Sequence, residues 1–427
     1  MIVDVGSNMR IAKKQVELEP NTLMAYAYIV CILLTYIQKF MNYINMLLII
    51  IAVYQIYNKR RIRKNKLGFL WTIYIIAYPI IDAKVRGESG LLFFDAICYL
   101  AAVFTMIGND FSLDMLKILT RGIKYLARFQ AFGIILSIVS YRAYIIVAWR
   151  IFGRWPAYIC GFAPDRAMTA LCICAAYSVV LVEIRINKYL TNKTINRADW
   201  IELVVYIYCL VSTDKRYILL SMLTVTMVIM IISSIDNGVE IIQTVIIGIS
   251  AVLLVAVISL WFYKMFGETN SLGRWGATFT GLSTGEDVTS NRSLWAVFMA
   301  EWGQDHKWFG IGWESFRKRI IDVGYFGVPN GHNCFKQIKC ETGYVGEAIF
   351  ISLLIVSWVK AISNMIKTVV NRFNRDYFIP SGIGLSLVTM FILYCASGNA
   401  IYDSYAYAYF FLGIVFIDTV SINIYGR

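Results

Sequence analysis

The chain has 427 residues, of which 59% are hydrophobic and 16% charged, and it carries a formal net charge of +13. That balance excludes a soluble globular domain of ordinary composition. Apolar runs long enough to cross the hydrocarbon as a helix recur along it, so the fold class expected is an all-α polytopic membrane protein. A β-barrel is excluded, since its strands would read as short alternating segments.

The opening stretch, MIVDVGSNMRIAKKQVELEP, is polar and lacks the regions of a cleaved signal peptide, so the first span is expected to be its own insertion signal. Twelve spans follow, near 23–37, 43–58, 67–81, 91–107, 129–149, 167–184, 199–211, 217–234, 241–262, 346–366, 377–397 and 405–422. The connections KRRIRKNK (59–66), 117–128, RINKYLTNKTINRAD (185–199) and KTVVNRFNRD (367–376) are basic, whereas those between them are less so. The positive-inside rule then puts the basic set and both termini in the cytoplasm. The basic excess follows membrane side, and no nucleic-acid partner is expected.

Cys31, Cys98, Cys172, Cys174, Cys209 and Cys395 fall in apolar stretches, where cysteine acts as a small buried hydrophobe. Cys160, Cys334 and Cys340 lie near loops, and no pair has zinc-site spacing. Cys334 and Cys340 are close enough to be bridged if the chain between them turns; a helical FKQIK would point them apart.

One connection breaks the pattern of short loops. The chain divides into spans 1–9 (residues 1–262), a long outer loop (263–345) and spans 10–12 (346–427). The loop holds both histidines, His306 and His332, and a loop this long and aromatic is expected to be functional. Within it, Leu294, Phe298 and Trp302 recur every four residues, which predicts a short helix on the membrane surface with one apolar stripe. Gly310 and Gly312 predict a turn.

Cations near the outer face come next. Lys215 and Arg216 sit between two apolar spans, against the positive-inside bias, and Arg142 lies at the outer end of the fifth span. Arg142 is either a residue snorkelling to the headgroups or a substrate cation. The loop adds Arg274, Arg292, Lys307, Arg317, Lys318, Arg319, Lys336 and Lys339. Such a set fits either acidic headgroups or a diphosphate on a lipid carrier, whose oxygens arginine binds in pairs. His332, between Gly331 and Asn333, can take a hydroxyl proton near neutral pH, and Glu341 follows where it can orient the ring or bind a sugar hydroxyl. His306, beside Asp305, reads as structural.

The stretches NRSLWAVFMAEWGQDHKWFGIGWESF and GHNCFKQIKCETGYVGEAIF, in this order, resemble the bacterial O-antigen polymerase and ligase superfamily. GFAPDRAMTALCI (161–173) and VSTDKRYILL (211–220) resemble its entries into two middle spans. The chain departs from the pattern at Lys307, at Lys215-Arg216-Tyr217 and at Asp165-Arg166.

The resemblance implies a C-type glycosyltransferase-like fold and inverting, metal-independent transfer with no cofactor. Donor and acceptor would be oligosaccharides on undecaprenyl diphosphate, at the outer face of a bacterial cytoplasmic membrane. It implies His332, Arg292 and Arg216 as catalytic residues, with Asn333, Glu341, Lys215, Arg274 and Arg142 binding substrate. A chain-length-regulating copolymerase is the implied partner besides the bilayer. The alternatives are ligase-type transfer to a lipid or protein acceptor and, in a different class, a flippase or transporter of the lipid-linked glycan.

Overall fold

The computed structural model describes residues 25–27, 29–30, 66–80, 112–152, 161–163, 165–191, 197–213, 215–235, 238–267, 276–277, 280, 292–324, 331–370 and 375–425. The expected spans at 43–58 and 91–107, most of that at 23–37, and Arg274, Cys31, Cys98 and Cys160 lie outside these residues.

The described residues are 88% helical and contain no strand. Helix α1 (Lys66–Thr72) runs into a π-helical turn, Ile73–Ala77. Then come α2 (Leu113–Val139), α3 (Tyr141–Phe152), α4 (Arg166–Thr191), α5 (Arg197–Ser212), α6 (Arg216–Ser233) and α7 (Gly238–Phe266). The loop contributes α8 (Arg292–Gly303) and α9 (Ser315–Asp322), and α10 (Cys334–Val370), α11 (Arg375–Ser397) and α12 (Ser404–Tyr425) complete the chain. Among the described residues six helices are long and apolar enough to cross a membrane: α2, α4, α7, α10, α11 and α12. The chain is a helical membrane protein.

The bundle centres on α4 and α11, and α11 packs against α12, α10, α4 and α6. The apolar window of α4 is 94% buried and that of α7 only 7%. Small side chains at fully buried positions (Ala170, Cys172, Cys174, Ala175, Ala176 and Ser178) let neighbouring helices approach α4 closely, the usual basis of helix association in a membrane. Exposed Ile, Val and Leu side chains run along α7 instead, as on a peripheral helix.

The fifth span is displaced from its expected place. Residues 117–128 are not a basic connection but the first half of α2, and Ser140 (φ −149°, ψ 87°) separates α2 from α3. Lys117, Arg121, Lys124 and Arg128 recur at spacings of four, three and four, so they share one helix face. Carboxylates meet three of them: Lys117 pairs with Asp114 and Asp376 (both 3.0 Å), Lys124 with Glu183 (2.7 Å), and Arg128 forks onto Glu202 through two bonds of 2.9 Å. In the same way α4 runs on past Arg185, whose guanidinium is buried on Glu240 (2.6 Å), Ser233 (2.7 Å) and Ser234 (2.6 Å). Pairing offsets the desolvation that would otherwise stop a helix there.

These contacts also set the direction of the helices. The starts of α2, α5 and α11 and the end of α4 share one end of the bundle. The starts of α4, α6, α10 and α12 gather at the other, together with the long loop.

In α8 the buried face is one residue round from the expected stripe. Trp295 and Met299 are buried against Cys340, Ile311, Phe316 and Ile320, while Leu294 is 38% exposed and the stacked pair Phe298 and Trp302 lies at the edge of the cluster. Two apolar stripes adjoin on this helix, and its tertiary partners select one.

Candidate functional site

The long loop is clasped to the membrane helices at a break in α10. Gly343 (φ 67°, ψ −169°) interrupts the helix, and the segment 307–312 fills the gap. Tyr344 N–H donates to the Lys307 carbonyl (2.8 Å) and Val345 N–H to that of Trp308 (3.2 Å). In return Ile311 N–H donates to the Cys340 carbonyl and Gly312 N–H to that of Glu341, both at 2.9 Å. Gly310 is left-handed (φ 67°), and a Cβ on it would lie 2.2 Å from the Glu341 carbonyl carbon; one on Gly343 would lie 2.3 Å from that of Trp308. Neither glycine can be replaced without moving backbone. The Thr342 carbonyl accepts from Tyr78 OH (2.9 Å), beyond the π-turn of α1.

Glu341 is the centre of this clasp. It is fully buried, and its carboxyl group accepts from Glu314 N–H (3.0 Å), Phe316 N–H (3.3 Å), Gln337 Nε2 (3.0 Å) and Tyr402 OH. It thereby caps the start of α9 and ties α9, α10 and the α11–α12 turn together. Four protein donors surround the group read from sequence as a substrate ligand. Glu314 takes a left-handed conformation (φ 59°) to present its N–H.

His332 lies one step above the clasp. Gln337, fully buried, accepts from Gly331 N–H (2.9 Å) and donates to Glu341, so the turn preceding α10 is anchored from below. His332 itself is left-handed (φ 53°), a costly conformation outside glycine that is characteristic of functional sites. Its N–H donates to Asn399 Oδ1 (2.9 Å), and Asn399 Nδ2 lies 3.4 Å from His332 Nδ1. The backbone donor fixes which way the Asn399 amide points. Asn399 Nδ2 then faces Nδ1, a placement that matches the neutral ring with its lone pair on Nδ1. Asn333 Oδ1 caps α10 by accepting from Lys336 N–H (3.0 Å), and its Nδ2 donates to the Ala396 carbonyl (3.1 Å).

The α11–α12 turn, Gly398–Asp403, links His332 to a second polar group. Asp403 accepts from Tyr394 OH and from Tyr405 OH (3.2 Å), and the two hydroxyls lie 3.0 Å apart. Tyr405 also reaches Asp165 (3.4 Å), which Lys215 approaches at 3.8 Å, while Tyr217 stacks on Tyr394 at 4.6 Å. Burial pushes the Asp403 carboxyl up to about 6, against the hydrogen bonds from the tyrosines.

The structure thus sets Asn333 beside His332 with Glu341 beneath them, and it links Lys215 to the α11–α12 turn only by way of Asp165 and Tyr405. Arg142 is exposed on α3, and no hydrogen bond or ion pair among the described residues joins it to His332. Arg216 and Arg292 open α6 and α8, but their side chains lie outside the described residues. His306 is exposed in the turn after α8. Cys334 and Cys340 are both buried and not bridged to each other, and the helix between them sends them into separate cores. Among the described residues no group of three or more His, Cys, Asp and Glu could hold a metal ion.

Sequence reasoning missed Asn399, Tyr402 and Asp403. The available signal was SGNAIYDS, a polar turn between two apolar runs whose parity puts it at the same end as the long loop. In comparison with known proteins, no family model and no curated protein matches this chain, so a functional reading rests on the site itself.

Proposed function

We propose that the chain is a glycosyltransferase that joins oligosaccharide repeat units carried on undecaprenyl diphosphate, making a surface polysaccharide at the outer face of a bacterial cytoplasmic membrane. Twelve spans, cytoplasmic termini and an outer loop at 263–345 belong to the same proposal. The observation that carries it is His332: a strained, asparagine-held imidazole at the end of the bundle where the long loop lies. The interlock of FGIGW with ETGY adds support, because the two stretches that resemble the polymerase superfamily form one structural unit.

In the proposed step the acceptor hydroxyl oxygen attacks the anomeric carbon of the donor sugar from the face opposite the diphosphate. The new glycosidic bond forms as the bond to the diphosphate oxygen breaks, and that electron pair leaves with the diphosphate. The hydroxyl proton passes to His332 Nδ1 as the 3.4 Å contact to Asn399 gives way. Arg216 and Arg292 neutralise the departing diphosphate.

Purified protein supplied with a lipid-linked repeat unit tests this directly. Wild type is expected to make polymer, and His332→Ala to make about 10²- to 10⁴-fold less, the usual contribution of a general base. His306→Ala is expected to retain activity. Near-normal polymer from a folded His332→Ala protein refutes the role of the histidine.

One observation favours the transport reading: an ion pair between Lys360 on α10 and Asp418 on α12, within spanning helices where paired charges can mark a substrate or ion pathway. Deleting the chain from its native host separates the readings. Single repeat units at the surface indicate a polymerase, unattached polymer a ligase, and no surface glycan a flippase.

A further inference from the structure

A cavity of about 380 Å³ lies between α8 and the first turns of α10, beside the histidine segment rather than within it. Among the described residues its polar lining is Lys307, Lys336, Lys339 and Gln304, with no carboxylate, and Met299 and Tyr344 are among the apolar side chains. The volume falls in the range of about 300–1,000 Å³ usual for small-molecule sites.

The three lysines arrive from two elements. Lys336 and Lys339 are three residues apart on α10 and share a face. Lys307 is fixed in the turn after α8 by the bond from Tyr344 N–H to its carbonyl. All three are exposed, and none forms an ion pair among the described residues; Lys339 lies 4.8 Å over the Tyr344 ring and within electrostatic reach of Glu347. Ammonium groups gathered around one cavity repel one another. An oxyanion placed among them turns that repulsion into attraction, and lysine is a common point-charge partner for phosphate. The apolar wall suits an oxyanion carried on an apolar group.

We propose that this cavity is an oxyanion site that holds a phosphate or diphosphate headgroup among Lys307, Lys336 and Lys339. It is coupled to the histidine segment by Met299, which lines the cavity and presses on Gly331; a Cβ there would lie 2.7 Å from the Met299 sulfur. The site stands independently of the transfer reading, because either a bilayer phospholipid or a lipid-linked diphosphate supplies the same chemistry.

Lysine footprinting tests it on the full chain in phosphatidylcholine nanodiscs. The protein is acetylated with an amine-reactive ester, and each lysine is followed by mass spectrometry. One arm adds inorganic pyrophosphate; the other replaces part of the phosphatidylcholine with phosphatidylglycerol and adds none. Lys307, Lys336 and Lys339 are expected to react several-fold more slowly in at least one arm, while Lys264 at the end of α7 is unchanged. Protection by pyrophosphate assigns a diphosphate ligand, and protection in phosphatidylglycerol alone assigns a bilayer headgroup. In Lys336→Gln, the ligand concentration that half-protects Lys307 and Lys339 is expected to rise about tenfold, as for loss of one charge-assisted hydrogen bond. Unchanged rates at all three lysines in both arms overturn the proposal, as does an unaltered midpoint in Lys336→Gln.

Discussion

Replacing Glu341 with alanine separates a structural centre from a substrate ligand. The carboxyl group accepts four donors in full burial: two backbone N–H groups that start α9, the Gln337 amide and the Tyr402 hydroxyl. Each buried donor left without a partner costs about 1–3 kcal/mol, and the two backbone N–H groups cannot move to another acceptor. A loss of about 4 kcal/mol is therefore expected, at the upper end of what one substitution does. Melting of the detergent-solubilised protein should fall by about 4–5 °C. A second readout is local: Cys340, only 2% exposed beneath α8, should become reactive to maleimide as the clasp loosens. Glu341→Gln keeps one acceptor oxygen and is expected to lose about half as much. An alanine variant that melts normally, keeps Cys340 protected and loses only activity would refute the clasp and restore Glu341 as a substrate ligand.

The remaining predictions concern its surroundings. Gly343→Ala places a methyl group against the Trp308 backbone at a left-handed position, so destabilisation of several kcal/mol is expected, read as lost folded yield after solubilisation. Asn399→Asp offers the ring an acceptor in place of a donor, which moves the neutral proton to Nδ1 and stabilises the charged imidazolium; the acid limb of the pH–rate profile is expected to move to higher pH, and an unmoved limb would sink the tautomer assignment. Asp403 has its folded value raised from 3.8 to about 6, so the folded state holds the proton more tightly than the unfolded one between these values. Its contribution to stability thus falls as pH rises across that window and is flat above it; Asp403→Asn should remove this part of the slope in melting temperature, and an unchanged slope would contradict the burial argument.

The sequence alone determined the class of molecule and much of its helical order. A composition that water cannot dissolve as a globule leaves few structures besides a helical bundle, and runs such as 167–184, 377–397 and 405–422 each carry at most one charged residue, so local hydropathy suffices to find them. Gly310 and Gly312 were legible as a turn because positive φ is a glycine property, and both have it. His332 was legible as a rarity in a setting of Gly and Asn. What only the tertiary structure decided is where distant groups meet. Hydropathy is a sum over neighbours, so it reads Lys117, Lys124 and Arg128 as a loop, whereas Asp376, Glu183 and Glu202, up to hundreds of residues away, neutralise them and let α2 continue. For the same reason the buried face of α8, the partners of Glu341 and the grip of Asn399 on His332 were invisible, since each depends on a group brought from another part of the chain.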